Sequence, residues 1–528
     1  MSHSLRRWSA CMTASMTLGL AIAMPVVPAA TTASVQDLTT LGSISTTITG
    51  LPDSTFSQVE SAYQQPVTSA QGWLGFNHQG GRYITVKFGK SVNVKHMQIT
   101  ALQNQAAGVY FPDYVQFQFE QNGEWYSAGA RYSAIPESGQ KTLTQTFAWD
   151  SQGGVEADAI RLYVPVGVWV FVRGLDIQGS TTSQGSPADL LTTVPGSGDD
   201  VGPMAPTSSG AAGIHNMLLV ETGANGNQGT WSSSDFLAMV GDVDSTGQMT
   251  SPLFDTMLFL PYGSVPNTVT GLTKYITDLF TSNQQLSALD QAVAQSNQML
   301  NRPDYKEKVV LTIPYFGYGT HDFGTISGQD VNFAGSGADP NALHARESAM
   351  QWYLQMLTAK WQTADFQHLQ LAGIYWDEEQ YHTTTPGEFS YLQYGANQVH
   401  QLGLPLFWIP FYGADRTDAW QTLGFDAAWI QPNYVEQGAN ADDVRISNAM
   451  ETAKQNGMGI EVELTGLDAT NQQLYDTFLN TLNLEGFGHD QVTHAFYDGS
   501  KLLVTAAESS DPAQRAAYDA TAAFIQGK

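Results

Sequence analysis

Hydrophobic and polar residues alternate one by one over the first third of the chain, up to about residue 179. Six segments show this period of two, with Gly, Asn, Pro or Ser turns between them: RYITVKFG, VKHMQITAL, YVQFQFEQNG, KTLTQTFAW, AIRLYVPV and VFVRGLDIQG. Strict alternation is typical of β-strands with one buried face, and several such strands separated by turns favour an all-β sandwich. The pattern therefore predicts a β-sandwich over residues 34–179.

The pattern changes in residues 214–528, where continuous apolar runs alternate with helix-like stretches such as NALHARESAMQWYLQMLTAKWQ. Apolar strands with helices between them are typical of a parallel sheet that is covered on both faces. Eight candidate strands occur here: HNMLLV, FDTMLFL, KVVLTIP, LAGIYW, LPLFWIP, DAAWIQP, GIEVEL and THAFYD. Eight β/α units in a segment of this length predict a (β/α)8 TIM barrel, with a doubly wound open sheet as the alternative.

Two other segments differ in composition from both of these regions. Residues 180–213 are rich in Ser, Thr, Gly and Pro, which predicts an interdomain linker. Near the N-terminus, Arg6 and Arg7 precede the apolar stretch MTLGLAIAMPVV, and small residues follow it. This order is typical of a secretory signal peptide, here over residues 1–33, and an uncleaved membrane anchor is the alternative. We therefore expect a secreted protein whose mature chain has no transmembrane segment.

Composition and charge narrow the classes of function. The only cysteine, Cys11, lies in the predicted signal peptide, so the mature chain would use neither disulfides nor thiolate chemistry. A net charge of −27 argues against nucleic acid as a partner. No GxGxxG, GxxxxGK[ST], HExxH or GxSxG motif stands in a suitable context, so neither nucleotide binding nor peptidase or esterase chemistry is predicted. Abundant aromatic residues and few charged ones favour a carbohydrate partner.

Polar or tyrosine side chains follow all eight predicted barrel strands, at the ends where barrel enzymes place their active sites. Besides the acidic residues of the fourth and seventh strands, we expect substrate-binding side chains at Glu221, Tyr262, Tyr315, Tyr318, Trp376, Trp408, Tyr412, Gln431, Asn433, Tyr434, Tyr497 and Asp498. For the tryptophans, packing in the barrel core is the alternative.

Strand parity separates the acidic residues of the fourth and seventh strands. In GIEVEL, the apolar residues share one face, which leaves Glu461 and Glu463 pointing into the barrel. In LAGIYWDEE, the same argument places Asp377 and Glu379 inward and Glu378 on the opposite side. Because unpaired buried carboxylates cost several kcal/mol, four of them at one mouth indicate a function.

Two carboxyl groups, one protonated and one ionised, are the minimal apparatus for hydrolysis of a glycosidic bond. Mutual repulsion raises one of their pKa values and so creates a general acid. The alternative is a structural cation site, since carboxylate oxygens also suit Ca²⁺ or Mg²⁺. We predict no cofactor and no catalytic metal, with a structural Ca²⁺ in either domain left open.

Three resemblances extend this interpretation. The strand order of residues 34–179 resembles the discoidin or coagulation-factor type C module, a galactose-binding-like sandwich whose members often bind glycans. The motifs MLLVETG, VVLTIPYFGYG, LAGIYWDEEQ and GIEVEL resemble the DUF4855 family of secreted bacterial proteins, which implies a glycosidase-like barrel. Acidic residues on strands four and seven also resemble the retaining (β/α)8 glycoside hydrolases, although Glu378 stands where that clan typically has Asn.

By position, the last resemblance implies that Glu379 is the acid/base and Glu463 the nucleophile. Asp377 is the expected partner of Glu379 in catalysis, while Glu378 and Glu461 are the alternative catalytic residues. The sequence therefore predicts a secreted glycoside hydrolase that acts on a poly- or oligosaccharide. The alternative is a non-catalytic carbohydrate- or cell-surface-binding protein on the same scaffold.

Overall fold

The structure, a computed structural model, describes most of the chain after the predicted signal peptide. The described residues are 34–48, 64–77, 81–104, 107, 109–112, 114–133, 142–166, 169–182, 192–193, 201–223, 228–261, 265–317, 322–333, 339–382, 385, 387–499 and 501–528.

The N-terminal region is rich in antiparallel sheet. Nine described strands form one sheet with the path β1-β8-β4-β7-β5-β6-β9, to which β2 adds beside β4 and β3 beside β8. Their bounds are β1 Gln36–Asp37, β2 Ser43–Ile48, β3 Leu74–Asn77, β4 Arg82–Asn104, β5 Tyr114–Gln121, β6 Glu124–Tyr132, β7 Thr142–Val164, β8 Trp169–Ser180 and β9 Thr192–Thr193.

The six strands predicted for this region fall into four observed strands, β4, β5, β7 and β8. Both RYITVKFG and VKHMQITAL belong to β4, and both KTLTQTFAW and AIRLYVPV belong to β7. The register of β4 against β7 shifts between Lys87 and Val92, so an irregularity bends the pair without ending either strand. Ile84, Val86 and Val94 are fully buried in one apolar cluster, while Tyr83 and Thr85 between them are buried as well, so burial does not strictly alternate at the start of β4.

The C-terminal region contains a closed barrel of eight parallel strands, as the apolar runs predict. In barrel order these are β10 Asn216–Thr222, β13 Thr256–Pro261, β14 Glu307–Ile313, β17 Leu369–Trp376, β18 Leu406–Trp408, β19 Ala427–Ile430, β20 Gly459–Glu463 and β21 His494–Tyr497. The prediction of a multidomain chain with a sheet-rich first region and an eight-stranded parallel barrel is thus confirmed.

Helices lie in the connections of the barrel. Their bounds are α1 Ser233–Val240, α2 Val269–Leu279, α3 Gln285–Met299, α4 Pro340–Ala364, α5 Glu388–Gln401, α6 Trp420–Leu423, α7 Val444–Asn456, α8 Ala469–Leu484, α9 Leu502–Glu508 and α10 Pro512–Ile525. The alternation is incomplete after β18, where only a 3-10 turn and the four residues of α6 occur. Two small hairpins complete the region: β11 Gly241–Val243 with β12 Met249–Pro252, and β15 Gly324–Ile326 with β16 Gln329–Val331.

Alternate residues of each barrel strand enter two different apolar layers, as strand parity requires. In β17, Tyr375 packs inside the barrel, whereas Ile374 and Trp376 pack in the layer of the helices. Gly373 faces inward as well, because a Cβ atom there would lie 2.3 Å from the ring of Phe407. The parity argument therefore gives the correct direction for this strand.

Residues just ahead of the first barrel strand pack against the end of the barrel where the strands begin. The main chain of Met204 accepts a hydrogen bond from the N–H of Thr493 and donates one to the carbonyl of Met458, both at 2.9 Å. Met204 and Ile214 are buried with the interior residues of the barrel. The predicted domain boundaries, including the linker limits at 180 and 213, stay predictions. Within the described ranges, no helix has the length and apolar composition that a membrane crossing requires.

Candidate active site at the carboxyl ends of the barrel strands

A cleft of about 560 Å³ opens at the carboxyl ends of β17, β18 and β19. Its walls come from the loops that follow these three strands and from the side chain of Arg445. Residues 377–380, 411–413, Asn433, Glu436 and Gln437 form those loop walls. Four of the lining residues are acidic, which gives the cleft a negative potential.

Glu379 lies in this cleft, on the loop that leaves β17. The residue is accessible to solvent. The surrounding protein nevertheless desolvates its carboxyl group enough to raise the pKa, and the charges of Glu436 and Glu378 raise it further. A hydrogen bond with Gln431 opposes the shift. An accessible carboxyl group with a raised pKa is the kind of group that serves as a general acid.

Asp377 and Glu378 line the same cleft in different environments. Burial raises the pKa of Asp377 to about 7, and the charges of Glu378 and Glu379 add to the shift. Glu378 turns to His382, with 3.5 Å between Oε2 and Nε2, and this contact raises the pKa of the imidazole. The predicted neighbourhood of Asp377 and Glu379 is therefore present, while Glu378 is paired with a histidine of its own loop.

Glu463 is not part of the open cleft. Its side chain is 1% exposed. Oε1 accepts a hydrogen bond from the main-chain N–H of Asn433 at 2.5 Å, and Oε2 accepts from Tyr434 at 2.8 Å and Val435 at 3.3 Å. Burial and the charge of Glu436 raise the pKa of Glu463 to about 8, while the three N–H donors act in the opposite direction. Glu463 thus holds the turn that follows β19.

Glu461 lies below the cleft, on the inward face of β20. It is 3% exposed, and its Oε2 has no hydrogen-bond partner among the described residues. Burial, together with the charges of Glu463, Glu379 and Glu436, raises its pKa well above the usual range. Burial therefore favours the neutral form of the Glu461 carboxyl group.

Amides connect the walls of the cleft. The Nδ2 of Asn433 donates to Oε1 of Gln431 at 3.0 Å, and its Oδ1 accepts the main-chain N–H of Tyr412 at 2.8 Å. The Nε2 of Gln431 donates to the carbonyl of Ile409 at 3.0 Å. Asn433 has a φ of 46°, a left-handed conformation that Asn adopts more readily than most residues. Both amides therefore fix the relative positions of two loops.

Arg445 and Tyr412 form one side of the cleft. The guanidinium group lies 4.4 Å from the centre of the Tyr412 ring and donates to the carbonyls of Pro432 and Asn433. The Tyr412 hydroxyl accepts a hydrogen bond from Nδ2 of Asn448 at 3.1 Å. Tyr412 is thus held in place as a wall of the cleft, and its role in substrate binding stays a prediction.

Several residues that the sequence places at the site do not line this cleft. Trp376 and Trp408 are buried in the layer of the helices, where Trp408 stacks on Phe425. Core packing, the alternative interpretation of these tryptophans, is therefore correct. Tyr434 is buried too, and its hydroxyl donates to Asp443 at 2.6 Å.

Asp498 and Tyr315 have structural contacts away from the cleft. Asp498 accepts the main-chain N–H of Leu503 and so caps the start of α9. Tyr315 lies beside the buried ion pair of Arg346 and Glu388.

Glu221 and Tyr497 share a second part of the barrel mouth. Both lie near the carboxyl ends of adjacent strands, and the charge of Glu221 contributes to the raised pKa of Tyr497. They do not line the cleft described above. Tyr262 and Tyr318 lie outside the described residues. In the N-terminal region, Tyr110 and Phe111 are buried, so neither presents a ring to a ligand.

The sequence argument misses Glu436, Phe411 and Arg445, which all line the cleft. Glu436 comes several residues after the end of β19, beyond the reach of strand parity. The only sequence signal for it is an acidic residue in the polar segment QPNYVEQG that follows an apolar strand. Among the described residues, no three His, Cys, Asp or Glu side chains come together as a metal ion would require.

Comparisons with solved structures give likenesses at low identity. A family 32 carbohydrate-binding module from C. perfringens NanJ, in complex with galactose, is 15% identical, with 28% of this chain and 99% of that chain covered and a TM-score of 0.19. The CBM22-1–GH10 modules of a Clostridium thermocellum endo-1,4-β-D-xylanase, complexed with xylohexaose, are 11% identical, with 86% and 95% covered and a TM-score of 0.32. TM-scores below 0.5 do not establish a shared fold or activity.

The comparison with curated proteins gives no match. A family described as a domain of unknown function, DUF4855, matches residues 216–523, which include all eight barrel strands and the cleft. The match spans more than half of the chain and confirms the resemblance of the barrel motifs. The protein therefore belongs to the DUF4855 family.

Proposed function

We propose that the protein is a secreted glycoside hydrolase that cleaves a poly- or oligosaccharide in the cleft at the barrel mouth. The observation that carries this proposal is the environment of Glu379. Its carboxyl group is accessible from an open cleft, and its pKa is raised by desolvation and by neighbouring carboxylates. A carboxyl group of this kind protonates the leaving oxygen of a glycosidic bond, provided that a second carboxylate acts beside it.

The proposal extends to the architecture of both regions. The antiparallel sheet of the N-terminal region and its sequence motifs support a galactose-binding-like sandwich that serves as an accessory carbohydrate-binding domain. The parallel barrel with helices in its connections supports a (β/α)8 glycoside-hydrolase scaffold. Secretion follows from the predicted signal peptide, and a carbohydrate is the proposed partner. In such a protein, the barrel cuts a glycan that the sandwich retains.

The raised pKa values at the mouth suit acid chemistry near neutral pH. Asp377 has a pKa of about 7, and its charge state therefore changes within the working range of most enzymes. When Asp377 is ionised, its negative charge raises the pKa of Glu379 and so favours protonation of that group. When Asp377 is protonated, this repulsion is absent. We propose that Asp377 adjusts the acidity of Glu379 in this way.

The test starts with digestion of a glycan panel by the full mature chain. On the responsive glycan, Glu379→Gln is expected to lower kcat at least about 100-fold, the contribution of a general acid. The matched control is Glu485→Gln, at the exposed end of α8. Circular dichroism of both variants checks the fold. Full activity of folded Glu379→Gln would refute the assignment.

One observation favours a second candidate function, a non-catalytic carbohydrate-binding protein. Glu463, the predicted nucleophile, is buried and bonded to three main-chain N–H groups. A barrel whose second carboxyl group has only a structural role would bind a glycan without cutting it. Calorimetric binding of a panel glycan that stays intact after prolonged incubation would establish this function instead.

A further inference from the structure

The turn after β19 carries an acidic side chain that reaches into the cleft. Glu436 is exposed to solvent and lines the cleft together with Glu379. Its charge contributes to the raised pKa values of Glu379, Glu461 and Glu463. Glu436 therefore stands among the acidic residues that line the open cleft, on the side that solvent can reach.

The position of Glu436 is fixed by contacts within its turn and below it. Asn433 donates from Nδ2 to Oε2 of Glu436 at 3.3 Å. Glu463 accepts the N–H groups of the three residues Asn433, Tyr434 and Val435, which immediately precede Glu436. A buried carboxyl group that accepts three consecutive N–H groups holds that stretch of backbone in one conformation. The turn that presents Glu436 is therefore anchored to a barrel strand.

The floor of the site supplies a second, independent indication that a ligand binds here. Glu461 is 3% exposed, and its Oε2 lacks a hydrogen-bond partner among the described residues. Burial raises its pKa, and the charges of Glu463, Glu379 and Glu436 add to the shift. Glu461 lies on the same strand and the same face as Glu463, which bonds to the turn that precedes Glu436. A buried polar atom without a partner costs about 1–3 kcal/mol, and functional sites are where such a cost is retained.

We infer that Glu436 is the second carboxylate of the proposed hydrolysis, and that Glu463 is a positioning residue that holds its turn. This inference rests on the proposed function and replaces Glu463 in the catalytic pair. Glu379 gives its proton to the glycosidic oxygen as the bond from that oxygen to C1 breaks. Water forms the new bond to C1 and gives a proton to Glu436. The products are the free sugar and the alcohol, and exchange with solvent returns both carboxyl groups to their starting states.

Access and charge both favour Glu436 over Glu463 in this role. A reacting carboxylate must reach the substrate and keep lone pairs free for water, and Glu463 has its oxygens bonded to the main chain. Glu436 is open to solvent and has one contact with an amide, from Asn433. The pair of Glu379 and Glu436 therefore faces the same open space from two different loops.

The experiment compares variants on two substrates of the full mature chain. The first is the panel glycan that the wild-type protein cuts, and the second is the 2,4-dinitrophenyl glycoside of the sugar released from it. The dinitrophenolate group leaves without protonation, so Glu379→Gln is expected to lose about 100-fold in kcat on the glycan and far less on the aryl glycoside. Glu436→Gln is expected to lose at least about 100-fold on both substrates.

Sodium azide separates a catalytic residue from a positioning one. Azide needs no base, so it bonds directly to C1 and displaces dinitrophenolate. Glu436→Ala is therefore expected to regain activity with azide and to release a glycosyl azide. Glu463→Ala disturbs the turn itself and is expected to stay slow with azide present. Glu485→Gln again serves as the control.

The outcomes distinguish a failure of the inference about Glu436 from a failure of the proposed function. Loss of activity in Glu379→Gln with full activity in Glu436→Gln would overturn the inference and leave the proposed function standing. Azide rescue of Glu463→Ala, without rescue of Glu436→Ala, would return the role to Glu463. Full activity of Glu379→Gln would refute the proposed function itself.

Discussion

Replacement of Glu463 by glutamine is expected to destabilise the barrel, because this side chain accepts three main-chain N–H groups. The glutamine oxygen can take the place of Oε2 and keep the bonds from Tyr434 and Val435. The amide nitrogen then meets the N–H of Asn433, whose distance to Oε1 is 2.5 Å in the native protein. Two donors cannot bond to each other, so at least one N–H in a buried environment loses the acceptor that the ionised carboxyl group offers above its pKa of about 8.

The burial of Glu463 determines what the lost hydrogen bond costs in stability. An unsatisfied buried donor costs about 1–3 kcal/mol, and we expect Glu463→Gln to lower the free energy of unfolding by about that amount. An accessible nucleophile, in contrast, contributes little to stability, and its replacement by glutamine would change the free energy of unfolding by less than about 0.5 kcal/mol. The two roles assigned to Glu463 therefore predict different stabilities.

Urea unfolding of the full mature chain at pH 9, where Glu463 is largely ionised, followed by near-ultraviolet circular dichroism, measures the change. Hydrogen exchange of the peptide that contains residues 433–437 measures it locally, since the N–H of Asn433 would exchange faster in the variant. Glu485→Gln is the matched control on an exposed helix end. Unchanged unfolding together with unchanged exchange in Glu463→Gln would refute the assignment of Glu463 to the turn.

Three further predictions concern the barrel. Burial raises the pKa of Glu307 well above its ordinary value of 4.5, so the folded state holds this proton more tightly than the unfolded chain does. The free energy of unfolding therefore falls as the pH rises above about 4.5. In Glu307→Gln, the urea midpoint should fall less between pH 5 and pH 8 than in the wild-type protein. Arg346→Met leaves Glu388 buried without its cation and should cost about 3–5 kcal/mol in urea unfolding; a loss below about 1 kcal/mol would contradict this. Gly373→Ala brings a Cβ to 2.3 Å from the Phe407 ring and should cost about 1–3 kcal/mol, which Phe407→Leu in the same chain should partly restore.

The fold of the barrel could be predicted because its strands are continuous apolar runs, and a parallel sheet covered by helices is what such runs form. Helix lengths were harder to predict, since the connection after β18 holds only α6 and a 3-10 turn. In the N-terminal region, the long strands β4 and β7 were each predicted as two, because the register of the pair shifts between Lys87 and Val92 without ending either strand.

The candidate site could be predicted in part. The loop after β17 brings Asp377 and Glu379 to the cleft, as the sequence argument expects. Strand parity predicts that Glu463 points into the barrel. It does not predict how deeply the side chain is buried, because burial depends on how far the neighbouring loop folds back over the strand. Glu436 was missed for the same reason: its position is set by hydrogen bonds between residues 433–435 and another strand.

The acidic residues at this barrel mouth divide according to whether they lie on a strand or on a loop. Glu461 and Glu463 lie on β20 and are buried. Oε2 of Glu461 has no hydrogen-bond partner among the described residues, and Glu463 is bonded to a turn. Glu379 and Glu436 lie on loops and line the open cleft. In this barrel, the acidic residues of the strand support a loop or form the floor, whereas those of the loops face the open cleft. Because Glu463 anchors the loop of Glu436, one acidic residue on the strand determines where another acidic residue on the loop can act.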